Sequence, residues 1–203
     1  MFKHAKSFNG LIGSWNVSSV KNMESMFTKA KSFNQAIGEW DTSSVSDMRW
    51  MFLEASNFNQ AIGKWDISKV TNLRHVFAWA ISFNQDLSLW DISNVTDMNR
   101  TFNGAIAFDQ DISDWNVSSV TNFAESFANT YSLSDANKGL IHESFASNSY
   151  WPYDWRDYVL IDDSNFHSAV DLWFDNQAEA TATYGHIRDW NVSGVTNMTE
   201  AFK

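Results

Sequence analysis

Apolar and polar positions along this chain repeat on a long rhythm before they repeat on a short one. Trp15, Trp40, Trp65, Trp90 and Trp115 follow one another in steps of 25 residues, and Trp190 falls on the same phase three periods further on. After each Trp comes Asp or Asn, then a mostly β-branched residue, then Ser: Ser18, Ser43, Ser68, Ser93, Ser118 and Ser193. A period between 20 and 50 residues marks a stacked-repeat architecture, because one copy cannot bury its own apolar face.

Within one period the pattern changes. Glu39 to Ser43 alternates, with Trp40 and Thr42 on one side and Asp41 and Ser43 on the other, which predicts a short strand. From Val45 the apolar steps lengthen through Met48, Met51, Phe52 and Ala55, which predicts a short helix. Gly38 and Gly63 close the turn that returns the chain. The predicted fold class is therefore α/β: a leucine-rich-repeat-like solenoid of short parallel strands and short helices, interrupted by a helical capping or junction insert. Three segments are expected: a first array over 1–127, an insert over 128–185, and the start of a second array over 186–203.

Units such as "FNQDLSLWDISNVTDMNRTF" resemble the BspA-like repeats of bacterial surface proteins over residues 1–127 and again near the C-terminus. That resemblance implies a surface-displayed interaction or adhesion scaffold without catalytic chemistry.

Repetition stacks side chains, and each ladder has its own expected role. An inward Trp removes roughly 150 to 250 Å² from water, about 4 to 6 kcal/mol gross, so the indoles are expected in the core beside Val17, Thr42, Ile67, Ile92 and Val117. Asp41, Asp66, Asp91 and Asn116 form a polar row. Like charges one strand apart repel, so the row needs solvent, partners or a cation; open single carboxylates do not make a calcium cage, and no metal site is expected. Asn34, Asn59 and Asn84 are expected to satisfy backbone groups.

The insert carries two predicted helices. One starts at Ser134 or Asp135 with Leu140, Ile141 and Phe145 inward; the other is capped by Ser164 and buries Phe166, Ala169, Val170, Trp173 and Phe174. Between them "YWPYDW" gathers Trp151, Tyr153, Asp154 and Trp155 around the only proline, beside Arg156. Aromatics next to a carboxylate and a guanidinium suit sugar or peptide contact.

Composition narrows the partners. A formal net charge of −10 argues against nucleic acid and favours a basic partner; the expected ligand is a protein or a glycan. There is no cysteine, hence no disulfide framework. No apolar run approaches a membrane span, and the first residues do not read as a secretion signal. His4, His75, His142, His167 and His186 share no phase and no metal-ligand spacing. No cofactor and no catalytic residue is expected. The chain stops just past a new unit, which reads as a piece of a longer surface protein and predicts end-to-end association. Two rival readings stay open: a structural spacer, and a glycan-processing enzyme built on the aromatic insert.

Overall fold

The computed structural model describes residues 1–199 and residue 201. The chain divides into two compact units, Met1–Leu133 and Ser134–Lys203.

In the first unit the repeats stack, but not as strands and helices. Among the described residues there is no strand. Parallel pairing there is limited to the isolated bridges Asn22–Asp47, Asn72–Asp97 and Asp97–Asn122. The expected solenoid of parallel strands is overturned, and the helix predicted from Val45 is absent as well.

The reason lies in where the amides go. At 39–43, Trp40 N–H bonds back to Ile37 O, Ser43 N–H goes to the Asp41 carboxylate, and Val45 N–H returns to Thr42 O. A side chain that offers the backbone a local partner competes with a sheet ladder, and Asp41 does so here. At 50–55 the amides alternate. Trp50, Phe52 and Glu54 donate to Arg74, Val76 and Ala78 of the next repeat at 3.0, 2.9 and 2.8 Å. Met51, Leu53 and Ala55 donate to the carbonyls three residues back at 3.1, 3.2 and 2.9 Å. A helix needs every amide turned along its own axis. Half of these point at the neighbouring coil instead, and Trp50 and Glu54 take left-handed backbone at φ 56° and 55° to let them. The third position of a type II turn demands that conformation.

Burial still follows the predicted pattern. Met48, Met51, Phe52 and Ala55 are fully enclosed. Trp40, Trp65, Trp90 and Trp115 are buried, and each indole N–H donates to a carbonyl of the preceding repeat, Ile12, Ile37, Ile62 and Leu87, at 3.0 to 3.2 Å. Trp15 is the exception at 41% exposure. Two phenylalanine ladders fill the centre. Phe27, Phe52, Phe77, Phe102 and Phe127 succeed one another at 5.5 to 5.7 Å between ring centroids. A second ladder through Phe33, Phe58, Phe83 and Phe108 lies against the first, with Phe52–Phe58 at 3.9 Å and Phe77–Phe83 at 4.1 Å. The asparagines act as expected: Asn34, Asn59 and Asn84 each accept the backbone N–H of the residue one period on, at 2.9 Å, and a glutamine amide beside it.

The second unit is helical. Helix α1 spans Asp135–Phe145, and Ser134 caps it by accepting from Asn137 N–H at 3.3 Å. Ile141, His142 and Phe145 are buried in it, whereas Leu140, expected inward, is 43% exposed. Helix α2 spans Phe166–Asp175 and α3 spans Gln177–Tyr184. Sequence periodicity predicts one helix across both; the chain breaks at Asn176, whose side chain accepts from Glu179 N–H and starts α3. Ser164 does not cap α2, because it is tied to Asp162. Phe166, Ala169 and Val170 are buried as expected, and Phe174 is 68% exposed. Ile161, Phe166, Val170 and Ala201 form one core cluster, with Tyr184, Trp190, Val192 and Val195 against it.

Candidate functional site

The site residues expected from sequence fall in different units: the acidic row in the first, the aromatic segment in the second. Asp41, Asp66 and Asp91 are exposed and regularly placed, and all three are engaged with serines. Ser43 N–H and Oγ–H meet Asp41 Oδ1 at 3.1 and 2.6 Å; Ser68 does the same for Asp66 at 3.0 and 2.7 Å. Ser93 N–H meets Asp91 at 3.0 Å, and Ser118 N–H meets Asn116 at 3.1 Å. The serine hydroxyl bond is the main cause that holds each of the three carboxyls below its ordinary value. Lys69 adds to this for Asp41 and Asp66, and its ammonium donates to Ser43 O at 2.7 Å. The row therefore acts first as a series of turn caps, each of which fixes the bend after its own Trp.

The aromatic segment is a different kind of surface. Trp151, Tyr153 and Trp155 pack on one another, with centroids 5.0 Å apart for Trp151–Tyr153, 5.4 Å for Trp151–Trp155 and 4.8 Å for Tyr153–Trp155. Phe145 of α1 meets the Trp151 ring edge-on at 5.2 Å. All three rings keep part of their surface in solvent. Trp151 and Tyr153 border a cleft of about 280 Å³ together with His142, Asp154, Arg156 and Ala182. Arg156 grips Asp154 through two bonds, at 2.7 and 2.6 Å, which pulls that carboxyl below its usual range. On the other side Arg156 borders a second cleft of about 330 Å³, lined also by Tyr184, His186, Trp190 and Asn191.

His142 is the residue that sequence reading set aside and the fold makes central. Its Nδ1 accepts the Trp151 indole N–H at 2.9 Å, and its Nε2 lies 2.9 Å from Ala182 O. An indole nitrogen only donates, so Nδ1 is unprotonated and Nε2 carries the hydrogen. One neutral imidazole thus fastens α1, the aromatic segment and the C-terminal end of α3. No spacing in the sequence announces a contact between residues 142 and 182. Burial pushes the imidazole pKa below its ordinary value. The neutral form contributes stability in full above pH 6.5, the ordinary value, and that contribution is lost as pH falls from there through the lowered folded value. Near-ultraviolet circular dichroism melts between about pH 7.5 and 5 should show a midpoint that drops on the acid side, and His142→Gln should flatten the slope. A midpoint indifferent to pH in the parent chain would remove this assignment.

Other ionisable groups of this unit are also engaged. Tyr184 donates to Glu143 Oε1 at 2.9 Å, and burial raises the phenol above its ordinary range. Asp163 accepts from the amides of Thr196 and Asn197 and from the Thr196 hydroxyl. Among the described residues no group of three His, Cys, Asp or Glu side chains is arranged to hold a metal, and no helix is long and apolar enough to cross a membrane.

A repeat family described as "Mycoplasma protein of unknown function, DUF285" matches residues 1–69, 57–149 and 166–203. No curated protein and no solved structure matches the chain.

Proposed function

The chain belongs to this repeat family, and from that premise we propose that it is a non-enzymatic interaction scaffold that binds a glycan or a protein outside the cell or at its surface. The finer kinship with BspA-like surface repeats is part of the same proposal. One observation carries it: unlike side chains gather at a single patch. Trp151 and Tyr153 border a cleft with a bidentate Asp154–Arg156 pair at its edge, and Trp155 packs against both rings. Aromatic faces beside fixed polar groups are the recurring furniture of carbohydrate and peptide sites. The absence of turnover in this proposal rests on the same geometry. In the aromatic cleft His142 and Asp154 each already hold a partner within the chain, which supports that reading.

The spacer reading has its own support in residues 1–133. There the Asp and Asn ladders accept backbone amides of the same or the next coil, and serine hydroxyls close on the Asp carboxylates, as a structural stack would. Glycan-array and pull-down screening of the intact chain separates the two. A ligand whose affinity falls about tenfold in Tyr153→Ala is expected, which corresponds to one aromatic contact. Trp151→Ala should show a similar loss with some loss of stability, because it also releases His142. A chain that captures nothing would leave the spacer in place, and hydrolysis of any bound glycan would overturn the non-enzymatic reading.

A further inference from the structure

One ladder of residues 1–133 does not repeat its own chemistry. Lys6, Lys31, Ser56, Ile81, Ile106 and Tyr131 share a single phase, and all but Ser56 are exposed. They stand side by side on successive coils. The amides of Ser32, Asn57, Ala107 and Ser132 donate to the carbonyls of Lys6, Lys31, Ile81 and Ile106, one coil before, at 3.0 to 3.2 Å. Trp, Phe and Asn recur at the phases that hold the stack together, whereas this row passes from basic to apolar along its length.

The apolar end is continuous. Ile81, Ile106 and Tyr131 are 40%, 38% and 76% exposed, and Trp79 is 47% exposed. The Trp79 ring rests over the next coil: a Cβ on Gly104 would fall 2.6 to 2.9 Å from three indole carbons. Gly104 is the one glycine at its phase, and it follows the one tryptophan at that phase by a single period. Apolar side chains scattered singly over a surface need no account, but four gathered on three consecutive coils mark an interaction site. Four is far fewer than the roughly 20 to 30 residues that each partner gives to a standard protein interface, so the patch suits a short segment.

The basic end is uncompensated. Among the described residues no carboxylate comes within ion-pair distance of Lys6 or Lys31, whereas Lys29 is held by Glu54 at 3.3 Å. The whole chain carries 14 Lys and Arg against 24 Asp and Glu, yet residues 1–74 hold nine of the former and six of the latter. A local positive surplus on an acidic chain draws carboxylates to that end alone.

We propose that this edge binds an extended segment of a partner protein that is apolar at one end and acidic at the other. Its apolar side chains lie on Trp79, Ile81 and Ile106, and its carboxylates meet Lys31 and Lys6. Successive rings of the phenylalanine ladder are 5.5 and 5.7 Å apart over these coils, so Lys31 stands two coils, about 11 Å, from Ile81. Extended chain covers that distance in about three residues. The segment thus carries its first carboxylate about three residues past its last apolar side chain, and charge pairing fixes which of its ends meets which end of the row. This surface lies within residues 1–133 and does not depend on the aromatic cleft of the second unit.

Fluorescence anisotropy with the full chain tests it. The probe is a labelled octapeptide of three leucines, a Gly-Ser spacer and three glutamates, made in both chain directions; the control carries glutamines in place of the glutamates. One direction should bind, the glutamine form should bind about tenfold more weakly, and added salt should erase that difference. Lys6→Glu combined with Lys31→Glu, both at exposed positions, should cost at least about tenfold with an unchanged melting curve, and Ile81→Ser combined with Ile106→Ser about tenfold. Tyr153→Ala should leave this binding untouched, so failure here and failure of the cleft reading are separately visible. The proposal falls if neither direction of the acidic peptide binds, if the glutamine form binds equally well, or if both double variants retain full affinity. It falls also if sedimentation shows the chain alone dimerising and Lys6→Glu with Lys31→Glu abolishes the dimer, which would give the edge to a second copy.

Discussion

Phe77→Ala is expected to destabilise the chain by about 4 kcal/mol, the middle of the range for an aromatic removed from a core. Phe77 is fully enclosed and touches rings on every side: Phe83 at 4.1 Å, Phe52 at 5.7 Å, Phe102 at 5.6 Å and Trp90 at 5.8 Å. The void could close only if neighbouring rings moved together, and each is fixed by its own place in a ladder. Phe2 gives the contrast. It is only partly enclosed and belongs to the first coil, so Phe2→Ala should cost less than half as much. Denaturant titration of both variants checks this. Equal losses at the two positions would mean that the ladders do not carry the stability assigned to them.

Gly38→Ala should follow at about 3 kcal/mol, near the limit for overpacking. A Cβ at residue 38 would sit 2.3 Å from the Ala61 carbonyl oxygen, far inside contact distance, and the obstacle is backbone of the next repeat. Gly13 and Gly63 stand in the same relation to Ala36 O and Asp86 O, at 2.4 and 2.5 Å. A flexible side chain could swing away; a carbonyl bound into a stack cannot, so two coils must separate. Gly10→Ala, which meets only the Phe8 ring at 3.1 Å, serves as the mild control. The two unfolding free energies, measured by denaturant titration, should differ by more than about 1 kcal/mol, on the order of the difference between a rigid and a yielding neighbour.

The glycine case shows what the sequence could and could not disclose. A tight bend is the obvious reading of Gly38, but the residue is there because another coil passes close by, and no local pattern encodes a neighbour's carbonyl. Periodicity reported the core faithfully: Trp40, Trp65, Met48, Phe52 and Ala55 are all buried. It misreported the backbone. Apolar residues three and four apart fit a helix, but consecutive three-residue turns place them on one side equally well. Only the direction of the amides distinguishes the two. Alternation at 39–43 likewise put Trp40 and Thr42 inward and Asp41 outward without a strand, because Asp41 diverts the amide of Ser43. In the second unit the aromatic segment was legible from its composition. The fastening by His142 was not, since its partner at Ala182 lies on a different helix.

The near-identical steps of the phenylalanine ladder, 5.5, 5.7, 5.6 and 5.5 Å, mean that each joint between coils is almost interchangeable with the next. Loss or duplication of one whole period would bring together surfaces that already match. Length in such a molecule is thus an adjustable quantity: recombination between copies can lengthen or shorten the array without inventing a new interior.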